Sequence, residues 1–380
     1  MDFNLTEEQK LLQSTLRNFA QKEIAPQASR IDKSGEFPAA EVKKMADLGL
    51  FGLTIPEKYG GSGKGILELC LTVEELACAS AAIDNYLRVS LSLGIIPIMQ
   101  FGTEVQKQKY LPPHANGAQM ACFALTEASA GSDPSGMETT ATHRQDGYIL
   151  NGTKLFISIG EHSGIVVVFA TVDKALKGHG ITAFVVKKGT PGLTVGKRED
   201  KLGLHGLIST ELIFEDCFVP AENVLGQEGQ GLKIALEALD ESRITVGAEA
   251  VGISRAAYEA ALAYAKDRKQ FGRPIADFQA IQWMLADMAT QIDAARLLTL
   301  RAAYLHDTGK PYVKEAAMAK LFASEVSGFV TSKAVQIHGG YGYIKDFPVE
   351  RYFRDAKITE IYEGTSEVMR MTIARSLLRE

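Results

Sequence analysis

The chain is poor in the residues from which metal centres and disulfide frameworks are built. Four cysteines in 380 residues (Cys70, Cys78, Cys122, Cys217) form no C-x-x-C pair, so reduced, mostly buried thiols are expected. The seven histidines supply no H-E-x-x-H, and no metal site is expected. No uncharged apolar run is long enough to span a bilayer, and the start MDFNLTEEQKLLQ has neither a basic n-region nor an apolar h-region. A cytoplasmic protein without membrane partners follows as the expectation. No G-x-G-x-x-G stands between a strand pattern and a helix pattern, which weighs against a nicotinamide-dependent dehydrogenase. A formal net charge of −5 leaves no basic footprint for nucleic acid, and 46% hydrophobic against 23% charged residues excludes a disordered chain.

What is present is enough apolar sequence for a sizeable core, in a chain long enough for two or three packed regions. Thr6 and Gln9 form a capping-box signature, followed by Leu12, Leu16 and Phe19 at helical spacing up to Pro26. Helical patterns continue to about residue 118, including apolar stretches from Ile66 to Ala79 and from Ala81 to Ile96, with breaks at Pro56, Gly60-Gly61 and Pro112-Pro113. Short β-branched or aromatic runs then appear at Tyr148–Leu150, Ile165–Val172, Ile181–Val186 and Leu212–Val219, with no helical pattern between them. Antiparallel pairing in a small barrel-like unit is expected. Beyond Gly229 the pattern is helical again: a helix over Gly231 to Arg268, another from near Ile275 and a third after Gly309 and Pro311 to His338. The expected architecture is α+β multidomain, with 1–118 helical, 119–228 an antiparallel β domain and 229–380 helical, the last a four-helix bundle offering a face for a homo-oligomer.

Four segments stand out, each with an ordinary reading. The Thr-, Ser- and Gly-rich stretch from Phe123 to Gly136 is typical turn chemistry, or a loop that binds an anion or a ring. Arg268 to Pro274 reads as a helix ending at Phe271-Gly272. Its Arg268 either complements the helix dipole or meets a pyrophosphate with its guanidinium fork. Gln336 to Tyr343 is a glycine-rich helix stop, where a backbone with no Cβ can also approach a ligand, and His338 reads as a packed histidine. Ile361 to Val368 places Glu363 in a short connection before a last helix that Thr365 or Ser366 would cap, with Glu367 facing the helix dipole.

Taken together and in this order, the segments resemble the acyl-CoA dehydrogenase family, most closely its short-chain, butyryl-type members. Ala124 to Gly136 is similar to the family's first signature; Gln336-x-x-Gly-Gly-x-Gly-Tyr343 with Arg354-Asp355 is similar to its second. The resemblance implies an FAD-dependent enzyme of fatty-acid metabolism, assembled as a homotetramer, that oxidises an acyl-CoA to a trans-2-enoyl-CoA. Glu363 would remove the α-proton, the β-hydrogen would leave as hydride to the flavin, and electrons would pass to an electron-transferring flavoprotein. It implies flavin contacts from Phe123, Leu125, Thr126 and Ser132, and from Phe156, Ile157 and Ser158. A neighbouring subunit's FAD would be met by Arg268, Phe271 and Gln279 and by Gln336, Ile337, His338, Gly339 and Gly340. Thr365 and Glu367 would touch the cofactor near its phosphates or ribose. The CoA part would meet Ser132, Asp240, Glu241, Ser242, Arg243 and Gly364.

Three features qualify this resemblance. Ser242 stands where some relatives carry the base, and serine cannot replace a carboxylate, which leaves the role to Glu363 with Glu241 as a neighbour to examine. Phe156 stands where many relatives have tryptophan. Asp84-Asn-Tyr-Leu-Arg88 puts two charges on a helix that is commonly uncharged in relatives. Four-residue spacing predicts an Asp84–Arg88 ion pair away from the acyl group, and with it a preference for a short, uncharged acyl chain of butyryl size. The alternative is a cyclic, branched or dicarboxylic (glutaryl-type) acyl-CoA; flavin oxidases and monooxygenases share the fold.

Overall fold

A computed structural model of the chain describes residues 4–378. The first helix, Glu7–Phe19, opens with the anticipated capping box: the Thr6 hydroxyl accepts from Gln9 N, and the Gln9 side chain accepts from Thr6 N. Ile66–Val89 is a single helical rod interrupted at Ser80, whose backbone is extended (φ −164°, ψ 108°). The Ser80 hydroxyl accepts from Ile83 N at 3.4 Å and so restarts the helix, which explains why the apolar pattern divides there. The N-terminus of this rod is capped from afar, since Asp307 accepts from both Ile66 N and Leu67 N at 2.9 Å. Pro112 and Pro113 do not break their helix as expected; both lie in the last turns of Glu104–Ala115, where few downstream hydrogen bonds remain to be lost.

An eight-stranded sheet follows: β1 (Met120–Ala124), β2 (Thr140–Arg144), β3 (Gly147–Ser158), β4 (Ser163–Thr171), β5 (Ile181–Lys187), β6 (Leu193–Arg198), β7 (Ser209–Pro220) and β8 (Val224–Leu225). Its order is β6-β7-β3-β2-β4-β5-β8, with β1 joined to β4. The four apolar runs read from sequence are parts of β3, β4, β5 and β7. Pairing is antiparallel except at β4, where β1 runs parallel and β2 touches in parallel register at Thr140 and Thr171. This departure has a topological cause: β1 arrives from the helical region, not through a hairpin. β4 is buried along almost its whole length, so it carries a continuous apolar run.

The helix Gly231–Asp267, 37 residues long, packs against Val313–His338, against Gln279–Asp307 and against Ile66–Val89. It ends four residues earlier than Phe271. Arg268 is its C-cap, and a two-stranded hairpin of Lys269–Gln270 and Arg273–Pro274 occupies the remainder, with Phe271 at the tip. No helix among the described residues is long and apolar enough to cross a membrane.

Candidate active site

Glu363 sits in the turn between residue 360 and the final helix Ser366–Leu377, with φ 55°, a left-handed conformation that is costly for a side chain with Cβ. Three groups hold it there. Arg243 Nε donates to the Glu363 carbonyl at 3.2 Å, the buried Lys320 ammonium donates to the Gly364 carbonyl, and Thr365 caps the helix by accepting from Val368 N. Burial pushes Lys320 down to about 8, with Glu363 opposing that shift. The carboxylate is fixed as well: Arg88 Nη1 donates to Oε1 at 2.8 Å, and the Ser242 hydroxyl donates to Oε2. A carboxylate has about four lone-pair sites, so each oxygen keeps room for an incoming proton.

Arg88 itself is wholly buried. Its Nη2 donates to Asn85 Oδ1 at 2.8 Å, and its Nε lies 3.0 Å from Glu249 Oε2 without the N–H pointing at that oxygen. The Tyr362 ring flanks the guanidinium at 5.1 Å. Glu249, equally buried, also accepts from Asn85 Nδ2 at 2.5 Å and from the Tyr362 hydroxyl. The anticipated Asp84–Arg88 pair is therefore absent: Arg88 turns to the base and to Glu249. Both Asp84 oxygens are buried without a hydrogen-bond partner among the described residues. A guanidinium reaching two carboxylates leaves no reason to stay with the residue one turn back on its own helix.

Burial, reinforced by Glu249 and only partly opposed by Arg88, pushes the Asp84 carboxyl well above the usual range. Folding above the unfolded carboxyl range then takes up protons, so the Asp84 contribution to stability falls as pH rises from about 4 towards the raised folded value. Asp84→Asn does not titrate. The stability of that variant relative to wild type should accordingly rise with pH above ~4. Thermal midpoints of both proteins across pH 4 to 8 check this, and a constant difference would refute it.

The other expected contacts fall into groups. Leu155 N donates to the Thr126 carbonyl at 2.9 Å, and the buried Lys154 bonds both the Leu125 carbonyl and Glu127. Leu125 and Thr126 are thus tied to the segment carrying Phe156, Ile157 and Ser158. Phe156 has φ 58° and is 61% exposed, an apolar residue presented at backbone cost. Phe123, at the end of β1, is instead packed on Phe169, and Ser132 lies in an exposed loop. Arg268, Ile337, His338, Gly339 and Gly340 line one cleft of about 450 Å³ with Tyr264 and Tyr341. His338 stacks on Tyr264 and bonds the Ala334 carbonyl, as a packed histidine does. Phe271, Gln279 and Gln336 are exposed, and Glu367 is exposed beside Thr365. Asp240 pairs with Arg243.

Glu241, Arg354 and Asp355 make further contacts. Glu241 accepts from Gln100 Nε2 at 2.8 Å and lies 3.4 Å from His306, so it is engaged away from Glu363. Arg354 bridges Asp32 and Glu350, while Asp355 accepts from Leu204 N; both join regions far apart in sequence. Sequence reasoning missed Glu249, Tyr362 and Lys320. Glu249 was visible as a lone carboxylate in the otherwise uncharged run Ile244 to Ser254, and Lys320 as the one cation in the apolar run Ala316 to Ala323.

Helices, a β sheet and further helices in series, with a held carboxylate on a left-handed turn and an arginine-lined cleft beside a glycine pair, define a ligand-handling α+β enzyme class. The chain belongs to the acyl-CoA dehydrogenase family. Models of that family match in sequence its N-terminal domain (residues 6–118), middle domain (122–217) and C-terminal domain (229–378). The acryloyl-CoA reductase (NADH) of Anaerotignum propionicum is 51% identical over 385 residues, covering 100% of this chain and 96% of that protein. The structure of butyryl-CoA dehydrogenase from Megasphaera elsdenii shares 48% identity with a TM-score of 0.98, covering 100% of both chains. A chain in the structure described as "Electron transferring flavoprotein of Acidaminococcus fermentans: Towards a mechanism of flavin-based electron bifurcation" shares 52% identity at TM-score 0.98, again covering 100% of both.

Proposed function

We propose that the chain catalyses FAD-dependent α,β-dehydrogenation of a short-chain acyl-CoA to the trans-2-enoyl-CoA and passes electrons to an electron-transferring flavoprotein. The observation that carries this is Glu363, a carboxylate oriented through both oxygens and placed beside Arg243 and Gly364. Removal of a proton α to a thioester needs such a base together with a donor for the developing oxyanion. The Glu363 backbone N–H has no acceptor among the described residues and is the donor we assign to the thioester oxygen. The same carboxylate returns the proton in the reverse direction, so the geometry serves reduction of an enoyl-CoA equally.

The residues fit FAD. The cleft beside Arg268 combines a guanidinium with Gly339 and Gly340, and a Cβ added at either glycine would meet nothing within 4 Å, a surface suited to a diphosphate. Phe156 and the neighbouring β3 backbone present an apolar face suited to a ring system. When bound, FAD supplies the two-electron acceptor for the β-hydrogen. The cleft is lined only by residues between 264 and 344, none of them from the Leu125 to Ser158 group. This supports a homotetramer in which each FAD is shared between subunits. Exposed Trp283, Leu297 and Phe322 on the C-terminal helices give that assembly an apolar face. Division at residues 118 and 228 and a cytoplasmic location belong to the same reading.

Anaerobic titration tests the proposal: butyryl-CoA should bleach the flavin absorbance of the purified protein. A colourless protein, or flavin that no acyl-CoA bleaches, would sink it. Arg268→Ala should weaken FAD retention by roughly tenfold or more, as expected for loss of a charge-assisted phosphate contact. Equal flavin content after dialysis of variant and wild type would remove Arg268 from the site.

A further inference from the structure

We infer that Glu249 is a specificity-determining residue, which neutralises Arg88 and thereby bars acyl groups ending in a carboxylate; the inference rests on Glu363 being the base. Arg88 Nη1 contacts Glu363 directly, so a substrate whose α-proton faces Glu363 lies within a few bond lengths of the guanidinium. An unmatched buried cation there would attract a terminal carboxylate on a short acyl chain. The cation is matched. Of its three nitrogens, Nη1 serves Glu363, Nη2 serves Asn85, and Nε lies against Glu249.

The groups facing Arg88 come from three elements. Its own helix supplies Asp84, whose carboxyl burial pushes well above the usual range, and the neutral Asn85. The helix Gly231–Asp267 supplies Glu249, and the terminal turn supplies Tyr362 and Glu363. Lys320 and Arg243 also interact with Glu363; Lys320 donates to the Gly364 carbonyl, and Arg243 donates to the Glu363 carbonyl and pairs with Asp240. Glu249 accepts from Asn85 Nδ2 and from the Tyr362 hydroxyl, and its Oε2 lies 3.0 Å from Arg88 Nε. Burial raises the Glu249 carboxyl, and the Arg88 guanidinium, the Tyr362 hydroxyl and the Asn85 amide oppose that shift, so these three neighbours favour the carboxylate. Arg88 therefore already faces two carboxylates, and a substrate carboxylate drawn to it would be a third negative charge around that guanidinium. At such separations one added like charge changes affinity by an order of magnitude or more, even with strong screening.

The test compares butyryl-CoA with glutaryl-CoA, which is the butyryl chain extended by a terminal carboxylate, on the FAD-loaded enzyme and its Glu249→Gln variant. Glutamine keeps the hydrogen-bonding shape of Glu249 and removes its charge. Wild type should favour butyryl-CoA in kcat/KM. Glu249→Gln should raise the glutaryl-to-butyryl ratio by ~10-fold or more, and adding Arg88→Met should abolish the gain. A ratio in Glu249→Gln within about twofold of wild type overturns the inference. So does a wild type that oxidises glutaryl-CoA at least as fast as butyryl-CoA, an outcome that needs no variant to fold. Failure of both substrates to bleach the wild-type flavin would instead strike at the proposed function.

Discussion

Glu363→Gln should lower turnover of butyryl-CoA by about 10²–10⁴-fold while leaving FAD content and acyl-CoA affinity within a few-fold of wild type. The separation of the two effects follows from the geometry. A glutamine amide oxygen can still accept from Arg88 Nη1, and its NH₂ can donate to the Ser242 hydroxyl, so the side chain keeps both anchors. Arg88 loses one of its two carboxylates but retains Glu249. What the amide cannot do is accept the α-proton. Steady-state kinetics alongside equilibrium titration with an enoyl-CoA measure the two quantities separately. Turnover within a few-fold of wild type would show that another group is the base, whereas joint loss of turnover and flavin would show that Glu363 is structural.

Much of this site was legible in the chain because its parts are local. The helix caps, the turn before Ser366–Leu377 and the glycine pair after His338 are each set by residues within a few positions of one another, and each appears where the pattern put it. The same holds for the long Gly231–Asp267 helix, which no proline interrupts. What escaped was non-local. Nothing in Asp84-Asn-Tyr-Leu-Arg88 indicates that Arg88 prefers Glu249, 161 positions away, to a carboxylate four residues back, because that choice depends on how two helices meet. Parallel pairing of β1 with β4 was missed for the same reason, and β2 and β6 carry too many polar residues for an apolar-run criterion. The left-handed conformations at Phe156, Phe271 and Glu363 have no local sequence signal, since none is glycine or asparagine. All three fall on residues that the family resemblance assigns to the cofactor or to catalysis. Backbone strain at a functional turn is visible only when the surroundings that impose it are known.

Arg88→Met should be among the most destabilising single changes available in this region, costing about 3–5 kcal/mol, because it strips the cation from a carboxylate with no access to water. That is a large share of the roughly 5–15 kcal/mol that holds a typical domain folded. Glu249 would then keep Asn85 and Tyr362 as donors but lose the one full positive charge in contact with it among the described residues, and Glu363 would lose the anchor of Oε1. Arg88→Met with Glu249→Gln removes both charges at nearly constant volume, leaving a methionine stem and an amide that Asn85 and Tyr362 can still satisfy. Replacing both members of a buried pair is often close to neutral even where removing one is severe, so the double variant should recover most of the loss. Urea denaturation of the FAD-loaded single and double variants measures the coupling. A double variant as unstable as Arg88→Met alone would mean that the guanidinium acts through packing and Asn85 rather than through charge. Recovery of stability without recovery of butyryl-CoA turnover would assign the buried charges to the orientation of Glu363 and the choice of acyl group, and would leave the fold independent of them.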